Sequence, residues 1–419
     1  MNIYFSGIGG VGIGPLAEIA YDAGYSVAGS DLEKNLVTAE LTKRGINIGI
    51  GQDGTFLQAQ HDKKPIDWFV YTAALPQTHP ELVLARKLGI KVAKRDELLS
   101  RIIADKKLRL IAIAGTHGKT TTTGMMVWAF QQLGIPVSYS VGTTLGFGPS
   151  GKFDPASRFF IYECDEFDRN FLHFKPYLSI ITSVGYDHPD TYPEPADYLG
   201  AFHQFAAKSE HIIAWSDQHG ELFDMLPQSK MLGKADVNID IKLAGVHNRR
   251  NATLVQLALV ELGFKSKTDK ILSDFPGVNR RFEKLAEGIY SDYGHHPSEI
   301  AATLQMASEL SKNVVLVYQP HQNTRQHAIR DQYTNQFELA REIYWVPTYL
   351  SPGNREDRSL PILTPAELTK NVTNHDQIHI ADLNDKLWDT IQSARNDGKL
   401  VLCMGAGDID GWIRKKLKI

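Results

Sequence analysis

Short apolar runs alternate with amphipathic stretches along the first hundred residues. Asn2–Ser6, Ser26–Ser30, Trp68–Thr72 and Lys91–Ala93 read as strands. Pro15–Ala23, Leu36–Arg44 and Pro80–Leu88 carry apolar residues at helical spacing. Such alternation predicts a parallel sheet with right-handed crossovers. The polar stretch Asp105-Lys106-Lys107 reads as a linker, and a second α/β block runs from there to about Leu272. Pro276-Gly277 marks another break. The last block places strands at Gly288–Ser291, Val314–Tyr318, Glu342–Val346, Gln377–Ile380 and Leu400–Met404, with helices between them. The expected fold class is α/β, in three domains: residues 1–106, 107–273 and 274–419. No internal repeat or low-complexity segment interrupts the pattern.

A length of 419 residues suits this division, because single cores stop growing well below that size. A net charge of −3 gives no general attraction to nucleic acid or to an anionic membrane. Cys164 and Cys403 are too few for a disulfide framework, which fits a reducing cytoplasm. No apolar stretch reaches spanning length, and no leader pattern opens the chain. The expectation is a soluble cytoplasmic protein without nucleic-acid or membrane partners.

The densest chemistry lies at Gly115-Thr116-His117-Gly118-Lys119-Thr120, continued by Thr121. The apolar run Leu108–Ala114 precedes it as a buried strand, and Met125–Phe130 follows as a helix. A strand, a glycine turn and a helix N-terminus aim backbone N–H groups at phosphate oxygens. Lys119 would reach the β/γ-phosphates and the Thr120 hydroxyl would sit on Mg²⁺. The strict P-loop pattern is not met, since Ile113 holds the first glycine's place. ATP use follows from this loop.

A second loop, Gly7-x-Gly9-Gly10-x-Gly12, follows the first strand, and Asp31 ends the second. This spacing suits any diphosphate with a ribose, so the loop alone does not separate NAD from a UDP-linked substrate. The ATP-type loop on the same chain favours the latter. Glu163, directly after the run Phe159–Tyr162, is the preferred Mg²⁺ ligand, with Asp165, Glu166 and Asp168 in supporting positions. Asp187-His188 follows the run Leu178–Thr182, a strand expected to neighbour the one carrying Glu163. His247-Asn248-x-x-Asn251, Asn279-Arg280-Arg281 and Asp292-Tyr293-Gly294-His295-His296-Pro297 come later. An arginine there could neutralise a phosphoryl group in flight, and the asparagines could bond an adenine edge.

Taken in order, these motifs resemble those of the Mur ligases, ATP-dependent amide-forming enzymes of peptidoglycan precursor synthesis. The resemblance covers nearly the whole chain. It implies a Rossmann-like N-terminal domain, a P-loop central ATPase domain and a Rossmann-like C-terminal domain. Gly7, Gly9, Gly10, Gly12 and Asp31 would hold the UDP part of a sugar nucleotide. Gly115 to Thr121 would hold ATP phosphates, with Lys119, His188 and Arg281 as catalytic residues and Thr120, Glu163 and His188 at magnesium. His247, Asn248, Asn251, Arg281 and Asp292 would contact ATP. Tyr293, His295, His321 and Arg325 would lie where the third domain closes on an amino acid. The opening loop, the Asp-Tyr-Gly-His-His-Pro segment, Gln319-Pro320-His321 with Thr324-Arg325, and Gly405–Ile409 look most like members that join L-alanine to UDP-N-acetylmuramate.

The implied reaction phosphorylates the sugar's lactyl carboxylate and lets the amine displace phosphate from the acyl phosphate. The implied protein is a monomer or homodimer. Three features depart from the family pattern: Gln322 stands where an arginine is common, Trp215–Lys242 is short, and Asp187-His188 lacks the usual polar lead-in. Members that add a tripeptide share nearly every motif and remain open. A nicotinamide-dependent oxidoreductase built on Gly7–Gly12 leaves the P-loop unexplained. A non-catalytic nucleotide-binding protein would leave the set Lys119, Thr120, Glu163 and His188 without use.

Overall fold

The computed structural model describes residues 1–72, 75–188, 191–264, 268–350 and 359–419. Three sheets account for its strands. The first contains β1 (Asn2–Ser6), β2 (Ser26–Asp31), β3 (Asn47–Ile50), β4 (Trp68–Tyr71) and β5 (Lys91–Lys94). All pair in parallel in the order β3-β2-β1-β4-β5, so the order reverses at β1 and opens a crevice at the strands' C-terminal ends. Helices α1 (Gly14–Asp22), α2 (Leu36–Lys43), α3 (Thr55–Lys63), α4 (Pro80–Lys87) and α5 (Arg95–Asp105) cover both faces. β3, α3 and α5 are absent from the sequence reading. β3 has four residues, one of them Gly49, whose missing side chain makes room for the Phe56 ring. α5 begins at the residue after β5, with no turn chemistry between, so the change of period is hidden.

The second sheet contains β6 (Arg109–Ala114), β7 (Ser138–Ser140), β8 (Gly151–Lys152), β9 (Phe159–Glu163), β10 (Leu178–Ile181), β11 (His211–Trp215) and β12 (Ser229–Leu232). Its order is β12-β11-β10-β6-β9-β7-β8, parallel except at β8. The β6 strand lies between β9 and β10. The expectation that Glu163 and Asp187 follow neighbouring strands is therefore corrected: both strands flank the P-loop strand instead, because the phosphate loop leaves the centre of the sheet. Helices α6 (Lys119–Gln132) and α7 (Pro195–Ala207) pack on it. The short Trp215–Lys242 stretch supplies one four-residue strand, β12, and turns.

α8 (Val246–Glu261) and α9 (Thr268–Ser273) precede the third sheet. That sheet has β13 (Glu283–Ala286), β14 (Ile289–Asp292), β15 (Val314–Tyr318), β16 (Glu342–Trp345), β17 (Ile378–Ile380) and β18 (Leu400–Met404), in the order β13-β14-β18-β15-β16-β17. Only β13 runs antiparallel. Helices α10 (Pro297–Leu310), α11 (Asn323–Ile329), α12 (Pro365–Thr369), α13 (Asp385–Asn396) and α14 (Ile409–Leu417) surround it over two apolar clusters.

The chain divides into two compact units, residues 1–237 with 253–271, and residues 238–252 with 272–419. The first unit holds two of the sheets. α1 packs on β8, where Gly151 lets Pro15 and Ile19 approach. Residues 238–252, assigned by the sequence reading to the central segment, belong with the third sheet. Arg249 makes a two-pronged pair with Glu309 of α10, and the Gly245 amide donates to the same carboxylate.

Candidate nucleotide and ligase site

The glycine loop between β1 and α1 is shaped by close approaches. Gly7 has a positive φ of 74°, and its N–H donates to the Ser30 carbonyl. A side chain on Gly9 would strike Asn35 and Thr38. The Gly9 N–H donates to the Asp31 carboxylate at 2.7 Å, so Asp31 and the loop meet as the spacing suggests. Gly10 is exposed and Gly12 half-buried. Behind the loop lies a buried carboxylate that sequence reasoning missed. Glu81 accepts from the hydroxyls of Tyr4, Ser6 and Ser30 at 2.6–2.7 Å and is fully buried. Ser6 ends β1 and Ser30 lies one residue before the end of β2, so nothing local in the sequence ties either to Glu81.

In the P-loop, Gly115 (φ 135°) could carry no side chain, since one would overlap Thr182. Gly118 (φ 85°) caps α6. Thr116 hydrogen-bonds Gly185 and the Tyr198 hydroxyl, and the His117 N–H donates to Ser183. The loop is thus fastened to the segment after β10. Lys119 donates to the carbonyls of Gly115 and Thr116, and to both oxygens of Glu166 at 3.0 and 2.8 Å. Glu166 is 1% exposed and Lys119 14%. Burial raises the pKa of Glu166, and Lys119 opposes the rise. Burial works against the charge on Lys119, yet Glu166 and Asp165 hold its pKa above the ordinary value.

Thr120 donates to Glu163 Oε1 at 2.7 Å, and the Gly142 N–H donates to the other oxygen at 2.7 Å. Asp165, Glu166 and His188 bring one ligand atom each within 4.8 Å of one another. His188 has a left-handed backbone (φ 59°), its ring edge meets Phe167, and its Nε2 lies 3.8 Å from Glu166. The acids after β9 therefore divide: Glu163 faces Thr120, while Glu166 serves Lys119 and approaches His188. Thr121 occupies the first turn of α6.

In the second unit, the Asp292 carboxylate ends β14 and accepts from the Phe282 and Gly294 N–H groups, each at 2.7 Å. These bonds hold the Arg280–Phe282 turn, in which Arg280 and Phe282 both have positive φ. Burial raises the Asp292 pKa to about 6, against the pull of Arg281 and the two amides. Arg280 and Arg281 both lie over the Tyr293 ring, and Arg281 pairs with Glu299 at 3.8 Å. Arg325 Nη1 lies 2.7 Å from His295 Nε2. A guanidinium can only donate, so Nε2 is the acceptor and His295 is neutral, with its Nδ1 proton toward the Tyr293 carbonyl. Burial first, with Arg325 among the lesser causes, lowers the His295 pKa.

The His295 and His321 rings meet edge to face, and His321 stacks on Tyr349. Tyr293, His295, His321 and Arg325 thus gather in one cluster. Gln322 has φ 63° and donates its N–H to the Tyr349 carbonyl. His247, Asn248 and Asn251 open α8. Burial lowers the His247 pKa to about 4, Asn248 bonds the Ala244 carbonyl, and Asn251 is buried.

A phosphate loop on a central parallel strand, its lysine paired with a buried carboxylate, defines a nucleoside-triphosphate-using enzyme of the P-loop type. Comparison with known proteins narrows the class. Residues 2–107 match the model of the Mur ligase family, catalytic domain; residues 113–232 match the Mur ligase middle domain; residues 280–407 match the Mur ligase, glutamate ligase domain. A UDP-N-acetylmuramate–L-alanine ligase of Pediococcus pentosaceus is 33% identical, over 97% of this chain and 96% of its own length. Among solved structures, the UDP-N-acetylmuramate–alanine ligase of Thermotoga maritima superposes with a TM-score of 0.73 at 24% identity, covering 100% of this chain and 98% of that one. A murein peptide ligase of Psychrobacter arcticus gives 0.63 at 22% identity, covering 100% and 98%. The chain belongs to the Mur ligase family. Its members are ATP-dependent ligases that form amide bonds. Among the described residues, no helix is long and apolar enough to cross a membrane.

Proposed function

We propose that this chain joins L-alanine to UDP-N-acetylmuramate at the expense of ATP, in the cytoplasmic synthesis of peptidoglycan precursors. The observation that carries the reading is the 33% identity, along 97% of the chain, to a ligase of that name. The phosphate loop with its buried Lys119–Glu166 pair supports ATP as the phosphoryl donor.

A carboxylate is a poor acyl donor, because oxide would have to leave. In the proposed reaction the lactyl carboxylate oxygen attacks the γ-phosphorus, and the bond to ADP breaks. The unprotonated amine of alanine then attacks the acyl carbon, an amide forms, phosphate leaves and the nitrogen gives up a proton. Like charges meet in the first step, so the site must supply positive charge. Lys119 brings an ammonium that Glu166 keeps charged despite burial. The amides of Gly118 to Thr121, at the N-terminus of α6, would orient the phosphates. Arg281 would add a second positive charge, and Asp292 with His247, Asn248 and Asn251 would position the nucleoside. In the second unit, Tyr293, His295, His321 and Arg325 would receive the amino acid. His295 cannot serve as a charged partner there while Nε2 accepts from Arg325.

The Thr120 hydroxyl and the Glu163 carboxylate are oxygen donors of the kind Mg²⁺ prefers, and Asp165, Glu166 and His188 converge nearby. The fit is good. Magnesium held there would neutralise phosphate charge.

Phosphate release from ATP tests the reading. Release that requires both UDP-N-acetylmuramate and L-alanine is expected. Release only with a tripeptide acceptor would move the chain to the tripeptide-adding members. No release with any acceptor would remove the ligase reading.

A further inference from the structure

Gly12 has no positive φ to explain its glycine. The reason is a neighbour: a Cβ on Gly12 would lie 3.1 Å from Nη1 of Arg95. The bare backbone lets a guanidinium close on the glycine loop. Arg95 is the first residue of α5 and keeps 36% of its side chain exposed. Its Nε pairs with Asp96 at 3.4 Å. Asp96 is buried and accepts from the Tyr162 hydroxyl of β9, so the carboxylate that steers Arg95 is itself fixed to the central sheet. The preceding residue, Lys94, pairs with Asp168. The field of Asp165 also reaches Arg95. Lys94 and Asp96 thus bind the start of α5 to the acidic loop and the β9 strand, and Arg95 between them has an outer guanidinium nitrogen against Gly12. Among the described residues, the ion pair of Arg95 is the one with Asp96, through Nε.

We propose that Arg95 is a sugar-nucleotide-binding residue, donating from its guanidinium to the diphosphate of a substrate seated at the Gly7–Gly12 loop. The inference rests on the reading that this loop takes the UDP moiety. A planar fork matches phosphate oxygens, and its Nη1 lies beside Gly12 of that loop.

The test uses the full-length chain as wild type, Arg95→Ala and Arg95→Lys. Michaelis constants are measured for UDP-N-acetylmuramate, ATP and L-alanine, and UDP is titrated calorimetrically. In Arg95→Ala the KM for the sugar nucleotide rises about ten- to a hundredfold, and UDP affinity falls alike, as for one lost charged hydrogen bond. The KM for ATP and kcat stay within about threefold, because the interaction is made equally in ground and transition states. Arg95→Lys recovers part of the loss. Equal sugar-nucleotide KM and UDP affinity in wild type and Arg95→Ala would overturn the assignment. So would a fall in kcat with the sugar-nucleotide KM unchanged, which marks a structural role. If Arg95→Ala does not fold, Arg95→Lys decides: a KM indistinguishable from wild type overturns the proposal. A wild-type chain that binds no UDP removes the underlying loop reading, a result distinct from equal binding by wild type and variant.

Discussion

The Lys119–Glu166 pair can be taken apart by a double-mutant cycle. At about 3 Å and an effective dielectric constant near 20, two unit charges attract by about 5–6 kcal/mol. Neither partner has water to fall back on, at 14% and 1% exposure. Lys119→Met leaves a buried carboxylate, which escapes by taking a proton. From an ordinary pKa of 4.5, that escape caps the cost at about 3 kcal/mol at pH 7. Glu166→Gln leaves a buried ammonium, which escapes by losing a proton. From 10.5, the cap is about 5 kcal/mol. The double variant buries no charge and costs little beyond lost packing. The two single losses therefore sum to more than the double loss, and that excess, the coupling, is expected at about 3 kcal/mol or more, below the combined cap of about 8 kcal/mol. Urea unfolding of the four proteins without nucleotide measures it, on the transition of the first unit. Additivity within about 0.5 kcal/mol would refute the reasoning, since it would mean that the pair is solvated. The same logic fixes a pH signature: the Lys119→Met loss shrinks as pH falls, because Glu166 then carries its proton at no cost.

Asp292 has a pKa of about 6 when folded against 3.8 when free, so the folded state holds its proton more tightly. Its contribution is complete below pH 4 and is lost as pH rises to 6, by on the order of 3 kcal/mol; Asp292→Asn removes that slope from urea unfolding at serial pH, and identical slopes would refute it. Arg325→Met removes both the bond to His295 Nε2 and a positive charge that opposes protonation of the ring. The His295 ring then titrates at higher pH by NMR, and the KM for L-alanine rises about ten- to a hundredfold if Arg325 holds its carboxylate. Thr120→Ala takes away a hydroxyl bonded to Glu163. The magnesium concentration for half-maximal phosphate release should rise about ten- to a hundredfold, chelation should abolish release in wild type, and an unchanged magnesium requirement in the variant would exclude Thr120 from the metal's neighbourhood.

The sequence made the P-loop legible because its parts are local: strand, turn, lysine and helix follow one another within twenty-five residues. The parallel sheets were legible where apolar runs were long, as at β6 or β15. They were not at β3 and β12, where glycines or polar residues interrupt the apolar pattern, and α5 was hidden because it follows β5 without a turn residue. What no local pattern carries is the partner across the fold. Glu81 is one acid at the start of a helix, and only the register of β1 with β2 brings Ser6 and Ser30 together beneath it. Arg95 is one cation among forty-five lysines and arginines until the bare Gly12 is seen beside it.

The acids after β9 make the same point at the centre of the site. Glu163 and Glu166 are three residues apart and chemically alike, and the sequence favoured the first for metal without assigning Lys119 a partner. The fold separates them through backbone shape. Glu163 is the last residue of its strand and points along the sheet to Thr120 and the Gly142 amide. The chain then leaves the strand, and Asp168 and Arg169 adopt left-handed conformations that break the following 3₁₀ turn. Tyr192 seizes the Glu166 carbonyl and Tyr198 touches its carboxylate, so that side chain is turned under the P-loop rather than out to water. One acid is thereby left at the hydroxyl that opens α6, and the other is committed to the lysine. The division of labour is written in residues 168, 169, 192 and 198, none of which carries the chemistry itself.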